Sequence, residues 1–410
     1  MFKRWSFVLL LVVITACSPK TPTPSSTVTA TPFLPVAPTA TLTASPTPPT
    51  STPTLTPTVI PSSTVTPPPP IVGPDNFASN VDPLTGLPVS DPKLLDRRPV
   101  AVKANIVPRS TNRPPWGLSF ADIVYDYYHN DGYTRLFSIF YGKDAELVGP
   151  IRSGRLLDNE LVRMYQAIFA YGSADERINS RFFNSEYSNR LILEGQPVAC
   201  PPKPATPLCR WEPSGVDLLL GSTQDMSLYI TNRGVSNGRQ NLNGMTFGTV
   251  APQGGNAGAQ VYNRYSGDNY SRWDYDPASG LYKRFDDNVY DQGQGEEYAP
   301  LTDRLNNQQI TAANVVVLIV PHVYFVPPHP NNEIVEILLS GSGKAYAFRD
   351  GQVYEVTWNR PTTNSVLYLT FLDGTRYPYK PGNTWYQVVS DHTVIKQPDS
   401  GVWRFEFRIP

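Results

Sequence analysis

The chain has 410 residues, a formal net charge of −1 and 43 prolines that are unevenly distributed. Residues 18–70 contain 16 of these prolines together with 23 serines or threonines. A nearly balanced charge argues against a general nucleic-acid-binding protein, which needs a basic surface. Glycine has no three-residue period, which excludes collagen, and a single long apolar run excludes a polytopic membrane protein.

The first residues have the pattern of an export signal. Lys3 and Arg4 form a basic segment, residues 7–14 form a short apolar segment, and residues 14–17 read ITAC. This order is typical of a secretory signal peptide, and small residues before a cysteine resemble the bacterial lipoprotein processing site. We therefore expect a signal peptide over residues 1–16 and lipidation of Cys17. A plain signal peptide or a membrane-spanning anchor are the alternatives, although the apolar run is short for a span.

Residues 17–72 are predicted to be the lipid-anchor cysteine followed by a disordered stalk. Lys20 is the only charged residue in this segment. Proline, threonine and serine favour extended, solvated backbone and bury little apolar surface. The stalk is then either a stiff spacer that crosses a cell-wall layer or a flexible tether of no fixed length.

A mixed α/β domain is predicted for residues 73–225. Ser119 is expected to cap a one-turn helix that reaches Asp122. Helical spacing of apolar residues predicts a helix over residues 155–166, and a second helix is expected to start near Ala174. A hairpin turn is expected at residues 130–132. Alternating, aromatic or β-branched residues indicate strands at residues 99–106, 123–128, 134–141 and 167–171.

Cys200 and Cys209 remain as an even pair once Cys17 is lipidated, and an exported compartment permits disulfides. The prolines between them indicate a stiff loop. We therefore predict a Cys200–Cys209 bridge that closes a surface loop and carries no chemistry. Two free thiols are the alternative, and a metal pair lacks further nearby ligands.

A β-rich domain is predicted for residues 226–410. Turns are expected at residues 350–351 and 373–374, where Asp precedes Gly. The expected strands are residues 260–265, 272–276, 314–320, 334–339, 345–349, 353–358, 366–371, 385–389 and 402–407. Runs of strand joined by short turns favour antiparallel pairing. The predicted fold class is α+β, with a mixed α/β domain followed by a mainly antiparallel β domain.

Several short motifs carry a resemblance to a known family. They include DPLTGLP at residues 82–88, RPVAV at 98–102, GLSFADIVY at 117–125, GYTR at 132–135 and GPIRSGR at 149–155. In the second half, GSGKA at residues 341–345 and GNTW at 382–385 add to them. In these motifs the chain resembles the YerB-type bacterial lipoproteins, a family of unknown function, over about residues 82–410. The resemblance implies an exported, lipid-anchored protein with an α/β first domain and a β-rich second one, and it implies no reaction.

The sequence also departs from the pattern of that family. Asp126 and Asn130 stand where acidic residues are expected before the GYTR motif, and Met226 and Ser227 stand where the family has His and Asn. Any chemistry that relatives perform with those acidic or histidine residues is therefore not carried over to this chain.

The best candidate site is the turn that contains Arg152, Ser153 and Arg155. We expect Ser153 to cap the following helix, where free N–H groups favour an anion. The two arginines add forked donors for carboxylate or phosphate, and Arg135 on a neighbouring strand is expected to converge with them. The site would then hold an anionic or polyol ligand, such as part of a cell-wall glycan. Alternatively, Arg152 pairs with Asp122 or Asp126 in a network that only holds the fold together.

Other signals point less clearly to function. His322 and His329 lack a third metal ligand, so no metal is expected, and no cofactor-binding pattern is recognised. The aromatic side chains between Tyr262 and Tyr282 either stack on sugars or pack in a sheet core. No nucleophile elbow of the Gly-x-Ser-x-Gly type is present in the sequence.

The resulting hypothesis is a non-enzymatic binding or scaffold lipoprotein on the outer face of the cytoplasmic membrane. Its partners would be the membrane, through lipidated Cys17, and a cell-wall glycan or an envelope protein, but no nucleic acid. The alternative is an envelope glycan hydrolase that uses Asp122 or Asp126 as acid and base.

Overall fold

The computed structural model describes residues 71–212, 218–329 and 333–409. The predicted signal peptide, Cys17 and the stalk up to residue 70 lie outside the described residues. Val72 already belongs to the folded part, because its N–H donates to the carbonyl of Phe247 at 2.9 Å. Among the helices described, none has the length and apolar character needed to cross a membrane.

Four α-helices and three short 3-10 helices lie along the described residues. The α-helices are α1 (Arg109–Asn112), α2 (Leu156–Tyr165), α3 (Glu176–Phe183) and α4 (Thr223–Asn232). The 3-10 helices are Pro92–Asp96, Leu118–Phe120 and Ser188–Arg190.

Strands make up most of the regular structure. In the first half they are β1 (Val100–Ala104), β2 (Ile123–Asn130), β3 (Tyr133–Phe140), β4 (Ile168–Ala170), β5 (Leu191–Ile192), β6 (Leu208–Arg210) and β7 (Leu219–Gly221). In the middle they are β8 (Asn256–Ala257), β9 (Gln260–Ser266), β10 (Asn269–Asp276), β11 (Leu281–Asp287), β12 (Tyr298–Pro300), β13 (Thr311–Ala312) and β14 (Asn314–Ile319). The last are β15 (His322–Val326), β16 (Ile334–Ile337), β17 (Gly341–Arg349), β18 (Gln352–Arg360), β19 (Tyr368–Thr370), β20 (Thr384–Val389), β21 (Val394–Asp399) and β22 (Val402–Glu406).

The larger sheet has 11 strands and contains strands from both halves of the chain. Its order is β19-β18-β17-β14-β20-β2-β3-β1-β4-β5, with β8 paired to β18. The sheet is mixed, since β20 runs parallel to both β2 and β14, whereas β2 and β3 are antiparallel. Every side chain of β1 and of β20 is buried, as expected for strands in the middle of a covered sheet.

The smaller sheet has seven strands in the order β12-β11-β10-β9-β22-β21, with β13 paired to β11. Residues of β9 alternate between buried and half-buried, which is the pattern of a sheet with one covered face. The covered face packs on the larger sheet, where the ring of Trp273 lies edge-on to that of Trp385 with centroids 5.2 Å apart. The opposite face of β9 is therefore left towards solvent.

The structure confirms the local features that the sequence specifies most strongly. Asp131 and Gly132 both have positive φ (52° and 83°), as do Asp350 and Gly351 (52° and 72°), which matches two-residue hairpin turns of the type I′ family. The Cys200–Cys209 disulfide is present, with the two Cα atoms 4.9 Å apart.

Two helix caps were predicted wrongly. Helix α2 begins at Leu156 with Arg155 as its cap residue, so Ser153 is not the cap. Ser119 lies inside a 3-10 turn, where its N–H and hydroxyl both donate to Asp303 at 2.8 and 2.7 Å. At Ser119 the partner is distant in the chain, whereas at α2 it is Asp158 in the first turn of the helix, which accepts the N–H of Arg155.

Each expected strand from residue 314 onward has a counterpart, and in that part only β15 and β21 were not predicted. In the earlier part, β5 to β8 and β11 to β13 were not predicted. The fold is broadly of the α+β class, with mixed sheet in the first half and mostly antiparallel pairing in the second. The expected boundary between residues 225 and 226 falls within α4. Division of the folded part into two domains stays a prediction.

Candidate functional site

The predicted arginine site comes together in the structure. Arg152 and Arg155 lie on the segment that leads into α2, and the N–H of Arg152 donates to the carbonyl of Lys103 in β1 at 2.8 Å. Strand β1 pairs with β3, which carries Arg135. We call Arg135, Arg152 and Arg155 the arginine cluster. Arg135 lies close enough to the other two for their charges to lower its pKa.

Arg135 is the most unusual member of the arginine cluster. Its Nε and Nη1 atoms are buried and have no hydrogen-bond partner among the described residues. Burial, followed by the charges of Arg155 and Arg152, holds the pKa of its guanidinium well below the usual value. Buried donor atoms without an acceptor are costly, because the hydration that they lose is not replaced.

Arg155 is held by neutral acceptors. Its Nη1 donates to the carbonyls of Ser153 and Gly154 at 3.3 and 2.9 Å, and its Nη2 lies 3.3 Å from Nδ1 of His129. Burial, then the charges of Arg155 and Arg135, lowers the pKa of His129 well below its ordinary value. His129 is therefore neutral near pH 7, and Nδ1 can accept this hydrogen bond.

A buried trio next to the arginine cluster supplies a carboxylate. The Nζ of Lys103 lies 3.1 Å from Oδ1 of Asp158, both side chains are fully buried, and the hydroxyl of Tyr127 bonds to both groups. Asp158 also accepts the backbone N–H of Arg155 at 2.7 Å through Oδ2. Burial lowers the pKa of Lys103 to about 7. Asp158 is thus already engaged by three donors and is not reserved for Arg135.

A cavity of about 290 Å³ opens beside this group. Ser153, Arg155 and Ser173 contribute polar groups to its wall, and the two serine hydroxyl oxygens are 3.2 Å apart. Asp175 and Glu333 also line the cavity, but each is occupied: Asp175 by Arg177, and Glu333 by the Tyr128 hydroxyl and the Asp131 N–H. Arg135 and Arg152 do not line it, so Arg155 and Ser153 are the predicted residues that a ligand would touch.

Asp122 does not join the arginine cluster. Its Oδ2 accepts the N–H groups of Tyr141 and Gly142 at 2.6 and 2.9 Å, and burial raises its pKa to about 6. It lines a separate cavity of about 490 Å³ together with a second carboxyl group, that of Asp82. Burial and the charge of Asp122 raise the pKa of Asp82 well above its usual value. We call this space the carboxylate cavity.

The walls of the carboxylate cavity come from three of the motifs that carry the family resemblance. Asp82 and Thr85 belong to the first motif, Ser119 and Asp122 to the GLSFADIVY motif, and Asn383 to the GNTW motif. Pairing of β2 with β20 brings the last two motifs together, because Ile123 lies opposite Thr384. The motifs therefore come together only through pairing of two strands that lie more than 250 positions apart in the sequence.

Asp126 lies in neither site. Its Oδ2 is 2.9 Å from Nη2 of Arg284, and both side chains are almost fully buried. The same Arg284 nitrogen is 2.7 Å from Oδ1 of Asp286. Asp126 thus has a structural role through Arg284, a partner that the sequence did not suggest, and this pairing leaves Asp126 without access to a ligand.

Sequence reasoning missed Lys103, Tyr127, His129, Asp158 and Asp82. One signal was available, because Lys103 interrupts an otherwise apolar strand and a lysine in such a place needs a buried partner. The described residues contain no group of three or more histidine, cysteine or acidic side chains that could hold a metal. Burial lowers the pKa of His322 to about 4, and its Nδ1 bonds to the carbonyl of Val320 at 2.7 Å.

Comparisons with known proteins agree with the family resemblance. Residues 84–195 match the N-terminal domain of a protein family of unknown function (DUF3048), and residues 261–386 match its C-terminal domain. The chain is 26% identical over 330 residues to YerB of Bacillus subtilis (strain 168), a protein named as a candidate lipoprotein; the match covers 78% of this chain and 88% of that protein. The crystal structure of Bacillus subtilis YerB has the same fold, with a TM-score of 0.59 at 23% identity, covering 75% of this chain and 96% of that one. The chain therefore belongs to the YerB-type family, whose two conserved regions carry no assigned function.

Proposed function

We propose that this protein is an exported, lipid-anchored envelope protein that binds an anionic ligand at the arginine cluster. The observation that carries the proposal is that Nε and Nη1 of Arg135 are buried and have no partner among the described residues. Similarity to a candidate lipoprotein supports the anchoring half of the proposal, together with the ITAC sequence that ends at Cys17. The ligand would be part of a cell-wall glycan or an acidic segment of an envelope protein.

Electrostatics favour an anion over a neutral ligand at this place. Arg155 lines the cavity, and the charge of Arg135 behind it adds to the positive potential that an anion in the cavity would experience. Arg155 and Ser153 would contact the anion directly, and Arg135 would act on it through the field of its charge. A carboxylate or a phosphate suits a guanidinium because both accept two parallel hydrogen bonds. The hydroxyls of Ser153 and Ser173 add donors for a sugar that carries the acidic group.

Calorimetric titration of the full chain in detergent tests this proposal. The probes are inorganic phosphate and N-acetylmuramic acid, a sugar with one carboxylate, alongside retention on isolated peptidoglycan and on envelope extract. We expect Arg155→Gln to weaken binding at least about tenfold, since one charge-assisted bond is lost. Arg163→Gln is the matched control, because Arg163 lies in α2 and is paired with Glu186 at 2.9 Å. Equal binding by the two variants, or no retention of the wild-type chain on any probe, contradicts the proposal.

A second candidate function, hydrolysis of an envelope glycan, is supported by the position of Asp122. This carboxyl lines a cavity beside Asp82, and its raised pKa of about 6 suits proton transfer near neutral pH. Asp82 takes the place of Asp126 as second carboxyl in this hypothesis, because Asp126 is closed off by Arg284.

Release of reducing ends from isolated peptidoglycan tests the hydrolase hypothesis. Asp122→Asn is expected to abolish release, and the exposed Asp131→Asn serves as control. Intact glycan after prolonged incubation with the wild-type chain rules this function out and leaves the binding proposal untouched.

A further inference from the structure

The solvent-facing side of the smaller sheet carries an open groove of about 800 Å³. We define the tyrosine–arginine groove by Tyr262, Arg264, Arg272, Tyr298 and Arg404, all of which line it. All five side chains are half-buried, so each keeps some surface for a ligand. Neither the arginine cluster nor the carboxylate cavity shares a residue with it.

Strand register places these side chains in a row across the sheet. Val261, Asn263 and Tyr265 of β9 point to the covered side and are buried, so Tyr262 and Arg264 face the other way. Arg404 of β22 lies opposite Tyr262, which in turn lies opposite Arg272 of β10. Cation and ring therefore alternate over three adjacent strands.

Contacts between neighbours hold the row in place. The guanidinium of Arg404 lies 4.8 Å from the ring centre of Tyr262, and that of Arg272 lies 5.8 Å from the same ring. Arg272 is also 4.9 Å from the ring centre of Tyr298. Cation–π contacts of this kind fix the orientation of flat side chains, so the groove is arranged before a ligand arrives.

The arginines that define this groove already have carboxylate partners. Glu296 accepts from Arg264 at 2.9 Å and from Arg404 at 2.7 Å. Arg272 lies 2.9 Å from Asp274. The groove arginines therefore need no anionic ligand to balance their charge, in contrast to Arg135. The paired charges also disfavour a phosphate backbone, which is attracted by a surplus of positive charge.

We propose that the tyrosine–arginine groove binds a neutral, hydroxyl-rich carbohydrate chain. Planar guanidinium and carboxylate groups held in fixed positions suit the neighbouring hydroxyls of a sugar ring, which both donate and accept hydrogen bonds. Tyrosine rings supply apolar surface for the C–H face of the sugar and a hydroxyl at the edge. The Nε of Arg272 is a buried donor without an acceptor among the described residues.

Binding of three glycans, two of them neutral oligosaccharides, to the full chain in detergent tests this inference. The probes are an N-acetylglucosamine tetramer, a glucose tetramer with β-1,4 links and isolated peptidoglycan, with affinity from calorimetry or retention. We expect at least one of them to bind, and Tyr262→Ala to weaken that binding about tenfold or more. Tyr368→Ala is the matched control, because Tyr368 also stacks under an arginine, Arg376, but on β19 of the larger sheet.

Phosphate separates this site from the arginine cluster. Glycan binding by the groove should persist in excess phosphate and in the Arg155→Gln variant. The inference is overturned if none of the three probes binds, if Tyr262→Ala and Tyr368→Ala lose binding equally, or if phosphate displaces the glycan. Thermal unfolding of both tyrosine variants shows whether each remains folded during the measurement.

Discussion

The arginine cluster and the tyrosine–arginine groove contain the same kind of side chain in opposite electrostatic states. The Nε and Nη1 atoms of Arg135 are buried and have no hydrogen-bond partner within the described residues, whereas Arg264, Arg272 and Arg404 each have a carboxylate, although all four side chains are half-buried as a whole. An arginine motif alone therefore does not define a ligand class. Pairing decides it, since an unpaired buried cation selects an anion and a paired planar network suits a neutral polyol.

Arg284 provides a third case, buried and paired, and its removal should have the largest effect. Arg284→Met leaves the carboxylates of Asp126 and Asp286 buried without a cation. We expect a loss of about 3–5 kcal/mol in the free energy of unfolding, measured by urea denaturation. Arg163→Gln, which breaks a partly exposed pair, should cost no more than about 1 kcal/mol. Similar losses in the two variants would show that burial does not set the value of these pairs.

Arg135→Met should act in the opposite direction to Arg284→Met. Two donor atoms of Arg135 are buried without an acceptor, so replacing it by an apolar side chain of similar length is expected to stabilise the ligand-free protein by about 1–3 kcal/mol. The same substitution should weaken phosphate binding, so stability and binding move apart. Urea denaturation with and without phosphate measures both effects. A destabilised variant would mean that Arg135 has an interaction that compensates for its burial.

The pH dependence of ligand affinity should also distinguish the arginine cluster from the tyrosine–arginine groove, with a smaller effect than the substitutions above. Burial lowers the pKa of Lys103 from 10.5 to about 7, so Lys103 loses its charge as the pH rises through 7 and leaves Asp158 uncompensated beside the arginine cluster. Phosphate affinity, corrected for the second ionisation of phosphate, should fall about three- to tenfold between about pH 6 and 9. Glycan affinity at the groove should stay constant over this range, because carboxylates and arginines do not titrate there. Lys103→Gln should remove the phosphate trend, and a pH dependence that survives this substitution contradicts the assignment.

The raised pKa of Asp122 predicts how the free energy of unfolding changes with pH. Its pKa is about 6 in the folded protein against an ordinary 3.8, so the folded state binds its proton more tightly than the unfolded state. The contribution of Asp122 to stability is then greatest below about pH 4 and is lost as the pH rises to about 6, by up to about 3 kcal/mol. Asp122→Asn should flatten the stability profile over that interval. An unchanged profile would show that the carboxyl is not buried from solvent as the fold implies.

Local features were predictable because neighbouring residues decide them. The Asp-Gly turns at 131–132 and 350–351 need positive φ, and the sequence supplies residues that tolerate it. The Cys200–Cys209 bridge follows from a short loop between the only two cysteines other than Cys17. Convergence of Arg135 with Arg152 and Arg155 was also anticipated. The two predicted caps were wrong for different reasons. The hydroxyl of Ser119 donates to the distant Asp303, and the cap residue of α2 is Arg155 and not Ser153.

By itself, the sequence determined the family, the disulfide and most strands, while the export signal and the ligand site at the arginine turn stay predictions. Tertiary structure alone decided which charges are paired. Asp126 on the larger sheet forms an ion pair with Arg284 on the smaller one. Asp82 and Asp122 line the same cavity. Parallel pairing of β22 with β9 places Arg404 opposite Tyr262. The physical reason is that strand patterns are read from neighbouring residues, whereas ion pairs and cavities depend on the register between strands far apart in the chain.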